Sequence, residues 1–151
     1  MDTGGRVLAV DLGARRVGLA VSDELGLLAT PKPPIVLSAD SHAEVLDAVE
    51  AAVGQYGAAQ VLIGWPLNLD GSRGPMADRA EHVAAALQRR VACRVTLFDE
   101  RLSSREAEAR LLDQGMRRRH RRQHIDGAAA AVFLEAFLAR ERSQSHPSRT
   151  E

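Results

Sequence analysis

The chain has 151 residues, of which 45% are hydrophobic and 26% are charged, and its formal net charge is zero. These values are typical of one globular domain and exclude a disordered or fibrous chain. No apolar run approaches the ~20 residues that span a bilayer, and the N-terminus lacks a signal-peptide pattern, so we expect a cytoplasmic protein without a membrane partner. The single cysteine excludes an internal disulfide and suits a reducing compartment.

Positive charge is concentrated in one short segment. Residues 117–122 read RRRHRR, whereas the rest of the chain carries 15 basic and 20 acidic residues. A basic segment on an acidic body is typical of proteins that bind a polyanion. A solvated loop in an arginine-rich protein is an equally good interpretation of this segment taken alone.

A β-hairpin opens the chain. Two strand-length apolar runs, Val7–Leu12 and Val17–Ser22, flank the turn Gly13–Arg16, in which glycine supplies the backbone freedom. Asp11 lies near the end of the first run, and a carboxylate there costs free energy unless its charge is compensated. Hydrogen bonds from the turn amides or a bound metal ion would each provide that compensation.

The middle of the chain alternates between strands and helices. Prolines in Thr30–Pro34 exclude a central strand, so Ile35–Leu37 is predicted to be an edge strand or a late-starting one. The apolar run Val61–Gly64 predicts a strand buried on both faces, and a long polar loop leads from it to a helix that begins at Pro75. Loops at the carboxyl ends of such strands are where α/β proteins bind ligands.

Two further acidic positions fall at the ends of predicted elements. Asp99 and Glu100 follow the strand Cys93–Phe98, and Asp126 opens a final helix. Asp99 and Glu100 could instead form a surface ion-pair cluster with Arg101. Asp126 could instead interact favourably with the helix dipole. The spacing alone does not separate Asp99 from Glu100.

Antiparallel strands followed by alternating strands and helices predict an α/β fold, with a mixed sheet and helices on both faces. If Asp11, the Asp99/Glu100 pair and Asp126 converge, their mutual repulsion requires divalent cations, and Mg²⁺ suits such oxygen ligands. A pair of such ions can activate a water molecule and stabilise the leaving oxygen in phosphodiester cleavage. The acidic positions therefore make a metal-dependent nuclease the hypothesis to test.

Four segments resemble the YqgF (RuvX) family of pre-16S rRNA nucleases and Holliday junction resolvase-like proteins, which have an RNase H-like fold. They occur in the family's order and cover most of the domain: VLAVDLGARRVGLAVSD at Val7–Asp23, GWPLNLDGSRGP at Gly64–Pro75, FDERLSSREAEARL at Phe98–Leu111 and HIDGAAAAVFLEAFL at His124–Leu138. The resemblance implies an RNase H-like sheet that carries a metal-dependent nuclease site.

The resemblance also implies roles for individual residues. Asp11, Glu100 and Asp126 match the acidic positions of the family motifs, which predicts that they are the catalytic residues and the ligands of Mg²⁺ or Mn²⁺. Glu100 is preferred to Asp99 because the family motif favours the glutamate of DER. Gly13 and Gly18 are predicted to let a phosphate backbone approach closely, and Asn68 and Asp70 are predicted to shape the rim of the substrate site. The residues predicted to contact phosphates are Arg101, Arg117, Arg118, Arg119, Arg121 and Arg122.

We therefore predict that residues 1–141 form one nuclease domain and that residues 142–151 are a disordered tail. The domain is expected to be an endonuclease that processes the 5′ end of precursor 16S rRNA. The alternatives are a dimeric resolvase acting on branched DNA, a catalytically silent nucleic-acid-binding module, and an actin- or hexokinase-like nucleotide-binding protein. Because the sheet consumes the apolar stripe of each predicted helix, we expect a monomer.

Overall fold

In a computed structural model of the chain, the structure describes residues 5–38, 41–102 and 125–145, except for the side chains of 125–128 and 145. The described strands form one mixed sheet: β1 (Arg6–Leu12), β2 (Arg16–Ser22), β3 (Ala29–Val36), β4 (Ala58–Trp65) and β5 (Arg94–Asp99). The described helices are α1 (His42–Tyr56), α2 (Pro75–Gln88) and α3 (Ile125–Ser145). This architecture confirms the predicted α/β fold.

The sheet order is β3-β2-β1-β4-β5. Strands β1, β4 and β5 run parallel, whereas β2 is antiparallel to both of its neighbours. Parallel strands end at the same edge of a sheet, so the residues that leave β1, β4 and β5 meet there. Asp11, near the end of β1, and Asp99 and Glu100, at and after the end of β5, lie at this edge.

The two faces of the sheet bury separate apolar cores. Leu8 and Val10 of β1 belong to the core that includes α1 and α2, whereas Val7 and Ala9 belong to the core that includes α3. Successive strand residues point to opposite faces, so β1 is covered on both sides and reads as a nearly continuous apolar run. Helices on both faces, as predicted, follow from this pattern.

The third strand starts earlier than predicted. It is an edge strand, as expected, but it begins at Ala29 and includes the prolines. Leu19 pairs with Lys32 and Val17 pairs with Ile35, so Gly18 lies opposite two prolines, Pro33 and Pro34, where the register shifts. An edge strand with such a bulge accommodates residues that lack a backbone N–H, which is why the prolines do not break it.

The last helix also extends further than predicted. Helix α3 begins at Ile125, as expected, but it continues to Ser145, beyond the predicted start of the tail at Arg142. Arg142 Nη1 donates to the Gly26 carbonyl oxygen at 2.8 Å, which ties this end of the helix to the turn before β3. The remainder of the predicted tail lies outside the described residues. No helix in the described part of the chain combines the length and apolar character that a membrane crossing requires.

Candidate active site

Asp11 and Glu100 lie on the same face and at the same edge of the sheet. Asp11 follows Val7 and Ala9 in the alternation of β1, which places it on the α3 face. Phe98 of β5 packs in the α3 core, and Glu100 lies two residues further along the chain. Because β1 and β5 are parallel to the strand between them, both acidic residues are found at the carboxyl edge. The structure thus brings together two of the three predicted acids.

Gly64 at the end of β4 leaves the space that the Glu100 carboxylate occupies. A Cβ atom added to Gly64 would collide with Glu100 Oε2 and would lie 2.9 Å from Cε2 of Phe133, whose ring is buried. The Glu100 carboxylate therefore lies against the backbone of the strand that separates β1 from β5. A glycine at the end of a buried strand, just before a long polar loop, is the sequence signal that could have identified this position.

The environment of Glu100 favours its protonated form. Burial, together with the charges of Asp11 and Asp99, raises the pKa of Glu100 from 4.5 to about 7. A half-buried carboxyl close to other carboxylates is destabilised when it ionises, since it loses hydration and meets like charges. A cation bound between Asp11 and Glu100 would remove both costs.

Asp99 and Glu100, which the sequence spacing alone could not distinguish as metal ligands, have different environments in the structure. Asp99 binds Arg101 through several contacts, with Arg101 Nη2 at 2.7 Å from Asp99 Oδ2 and Arg101 Nε at 3.0 Å from Asp99 Oδ1. The hydrogen bond from Arg101 holds the pKa of Asp99 below its usual value. Asp99 thus forms an ion pair with Arg101, whereas Glu100 lies close enough to Asp11 for the charge of Asp11 to raise its pKa.

We expect Glu100→Gln to stabilise the metal-free protein at pH 8 by about 1–2 kcal/mol, a value reduced for the partial exposure of the carboxyl. The pKa of Glu100 is higher in the folded protein than in the unfolded chain, where it is near 4.5. Protonated Glu100 therefore contributes fully to stability at pH values below about 4.5. This contribution is lost as the pH rises through about 7. Urea unfolding in a metal chelator at pH 5 and pH 8 should therefore give a larger difference between variant and wild type at pH 8. An equal difference at the two pH values would contradict the raised pKa.

The loop between β4 and α2 is held by its own side chains. Asp70 Oδ1 accepts hydrogen bonds from the Ser72 amide at 2.9 Å and from the Ser72 hydroxyl at 2.6 Å, and Asn68 Nδ2 donates to Ser72 Oγ. Arg101 Nη1 lies 3.4 Å from the carbonyl oxygen of Leu69. Asn68 and Asp70 thus shape a turn that is connected to the residue after Glu100, and their predicted role at the rim of the substrate site stays a prediction.

The turn after β1 requires a glycine at position 13, one of the two glycines that are predicted to bind substrate. The Gly13 amide donates to the Arg16 carbonyl oxygen at 2.8 Å, and a Cβ on Gly13 would lie 2.6 Å from that oxygen. Gly18 pairs with Asp11 across the hairpin. The turn therefore needs glycine for its own geometry, and a close approach of a phosphate at either glycine stays a prediction.

Sequence reasoning missed Arg79, a half-buried residue of α2. Its Nη1 donates to the carbonyl oxygen of Gly13 at 2.7 Å. Arg79 lies between the buried residues Ala77 and Ala80. An arginine beside the buried face of a helix was the available signal, because a partly buried cation needs a polar partner.

Part of the predicted site lies outside the described residues. Asp126 is the second residue of α3, but its side chain is not described, and neither are the five arginines at 117–122. Among the described side chains, no group of three or more His, Cys, Asp and Glu is placed to hold a metal ion. The two described acids do fit a hard divalent cation, since they supply oxygen donors and excess negative charge in a half-buried position.

Comparison with known sequences identifies the family. A sequence model described as "RuvX: Holliday junction resolvase" matches residues 5–140. A protein of Geobacillus kaustophilus named "Putative pre-16S rRNA nuclease" is 39% identical over 137 residues, which are 91% of this chain and 99% of that protein. A protein of the same name from Anaeromyxobacter sp. strain K is 42% identical over 135 residues, or 89% of this chain and 97% of that protein.

Solved structures support the same fold. The yeast mitochondrial Holliday junction resolvase Ydc2 superimposes with a TM-score of 0.61 at 10% identity, covering 97% of this chain and 83% of that one. Thermus thermophilus RuvC superimposes with a TM-score of 0.57 at 16% identity, covering 91% of this chain and 96% of that one. These similarities confirm the predicted RNase H-like architecture.

The family description and the names of the relatives agree on the type of reaction. Both denote nucleases, which are hydrolases that cleave phosphodiester bonds. The predicted nuclease activity is thereby confirmed at the level of the reaction type. The chain belongs to the RuvX family.

Proposed function

We propose that this chain is a divalent-metal-dependent endonuclease that processes the 5′ end of precursor 16S rRNA in the cytoplasm. The observation that carries the proposal is the pair of carboxylates, Asp11 and Glu100, at the carboxyl edge of one sheet face. The names of relatives that are about 40% identical over most of the chain support the substrate.

Asp11, near the end of β1, and Glu100, just after β5, would hold the cation, and Asp126 would be the third ligand. When bound, the cation supplies activation of water and stabilisation of the leaving oxygen. The protein contributes a fixed spacing between its ligands: Gly64 makes room for the Glu100 carboxylate, and the ion pair with Arg101 keeps Asp99 away from that role. We propose Mg²⁺ or Mn²⁺ because the donors are oxygen atoms.

A nucleic acid that approaches two carboxylates needs cations at its phosphates, because like charges repel. We propose Arg101 and the five arginines of 117–122 as phosphate contacts, of which those at 117–122 lie outside the described residues. Arg101 already binds Asp99, so its contact with a phosphate would be made through the N–H groups that remain. Contacts of this kind position a substrate without specifying its sequence.

A Holliday junction resolvase is the second candidate, because the matching family description names one. Two symmetric incisions in a junction require two active sites held by a two-fold dimer, whereas processing of an rRNA end requires one site. We propose a monomer, and the experiment compares both substrates with the mass in solution.

We expect a monomer by sedimentation at micromolar concentration. In Mn²⁺ it should cut precursor 16S rRNA near the mature 5′ end and should leave a four-way junction without coupled nicks. A four-way junction labelled on opposing strands reports coupling directly. A stable dimer that makes paired, symmetric nicks and leaves the precursor uncut would instead establish the resolvase.

A further inference from the structure

We infer that Arg79 is a substrate-positioning residue of this site: it fixes the turn that follows Asp11 and binds a phosphate of the nucleic acid. This inference rests on the proposed function, since it names how the same site holds its substrate. It is carried by a contact between two distant parts of the chain and by the charge balance of the arginines around the site.

The contact joins α2 to the end of β1. Arg79 Nη1 donates to the Gly13 carbonyl oxygen at 2.7 Å, across 66 residues of sequence. Gly13 lies two residues after Asp11, and its amide closes the turn by donating to Arg16. A guanidinium that binds the carbonyl of this turn limits the movement of the strand end that carries Asp11. Arg79 can therefore position a ligand of the site without touching it.

The charge of Arg79 is available, whereas Arg101 and Arg73, the arginines at the loop between β4 and α2, are paired with acids. Arg101 binds Asp99, and Arg73 binds Asp78 and Glu81. Within the described residues Arg79 forms no ion pair, and the partner that it binds is a neutral carbonyl. A guanidinium carries five N–H donors, so several stay open to a phosphate after one is used for Gly13.

The position of Arg79 suits a phosphate that flanks the cleaved one. Helix α2 begins directly after the polar loop that leaves β4, so Arg79 is placed beside the edge where β1 and β4 end. A polyanion that reaches Asp11 and Glu100 must pass this edge, where carboxylates repel it. A cation bound to the turn that follows Asp11, at the same edge of the sheet, offsets that repulsion and orients the backbone.

Two substitutions separate the charge of Arg79 from its hydrogen bond. Arg79→Gln keeps an amide that can donate to the Gly13 carbonyl but removes the charge, whereas Arg79→Lys keeps the charge. Arg90→Gln is the matched control: it also removes one positive charge, but from a residue just after α2 that pairs with Asp47 and Glu50. Each variant is tested for binding to a precursor 16S rRNA fragment in a metal chelator over a range of salt concentrations, together with its melting temperature.

We expect Arg79→Gln to weaken RNA binding about tenfold and to reduce the slope of log K against log salt by about 0.7–0.9, the value for one phosphate contact. Arg79→Lys should restore the slope, and Arg90→Gln should leave both quantities unchanged. If Arg79→Gln matches Arg90→Gln in affinity and slope, the inference is wrong. It is also wrong if Arg79→Gln lowers only the melting temperature.

Should Arg79→Gln not fold, Arg79→Met, which keeps the aliphatic stem but removes the charge, takes its place: a slope lower than that of the wild type supports the inference, and an unchanged slope overturns it. The wild type serves as the separate test of the proposed function. If the wild type neither binds nor cuts the RNA, the proposed function fails. If the wild type binds and cuts while the Arg79 variants behave like the control, only this inference fails.

Discussion

Asp11→Asn and Glu100→Gln should each reduce the rate of phosphodiester cleavage by at least about a thousandfold while the protein stays folded. A bound cation supplies several kcal/mol of transition-state stabilisation, and about 4 kcal/mol corresponds to roughly a thousandfold in rate. Each substitution removes a charged ligand but preserves the shape of the side chain. Folding should not suffer, because two acids that repel each other become one acid and one amide. Single-turnover cleavage of precursor rRNA in Mn²⁺, together with thermal melting, measures both effects.

Asp99→Asn is the matched control for this prediction, since Asp99 is the neighbouring carboxylate and is paired with Arg101. It should retain most of the activity, with a change in the binding of substrate rather than in the chemical step. If Asp99→Asn abolishes cleavage and Glu100→Gln does not, the assignment of the two residues is reversed. If Asp11→Asn unfolds the protein instead, Asp11 has a structural role.

Gly64→Ala should reduce cleavage at least about a hundredfold, although the change adds only one methyl group. The new Cβ would collide with Glu100 Oε2 and would crowd the ring of Phe133 at 2.9 Å. Phe133 is buried in the α3 core, so the Glu100 carboxylate is the group that gives way. A misplacement of about 1 Å in a reacting geometry can cost a hundredfold in rate. Cleavage rates and metal affinity of the variant should both fall.

Gly54→Ala provides the control for the added methyl group. Gly54 lies within α1, and a Cβ there meets no atom within 4 Å. This substitution should leave cleavage unchanged and should raise the free energy of unfolding by up to about 1 kcal/mol, because alanine favours a helix more than glycine does. A Gly64→Ala variant as active as Gly54→Ala would contradict the placement of Glu100.

Local patterns in the sequence were sufficient to predict much of the fold. The apolar runs of β1 and β2 and the start of α3 follow from spacing and turn residues close by in the chain. The early start of β3 could not be predicted in this way. It depends on the bulge opposite Gly18, which exists only once the two strands pair.

The candidate site was predicted less completely, for a related reason. Asp11 and the Asp99/Glu100 pair could be singled out because each lies at the end of an apolar run, and only the family motif favoured Glu100. The separation of Glu100 from Asp99 rests on an ion pair with Arg101, and the importance of Gly64 rests on contact with a residue 36 positions away. The role inferred for Arg79 likewise depends on a contact across 66 residues. Contacts between distant positions leave little trace in a single sequence.

Anomalous diffraction from crystals of the protein soaked in Mn²⁺ is the most direct test of the central claim, that Asp11 and Glu100 bind a divalent cation. We expect an anomalous peak between the two carboxylates, within bonding distance of an oxygen atom of each, and its loss in Glu100→Gln. A peak that appears only at other positions, or one that persists between these residues in Glu100→Gln, would show that these two carboxylates do not form the metal site.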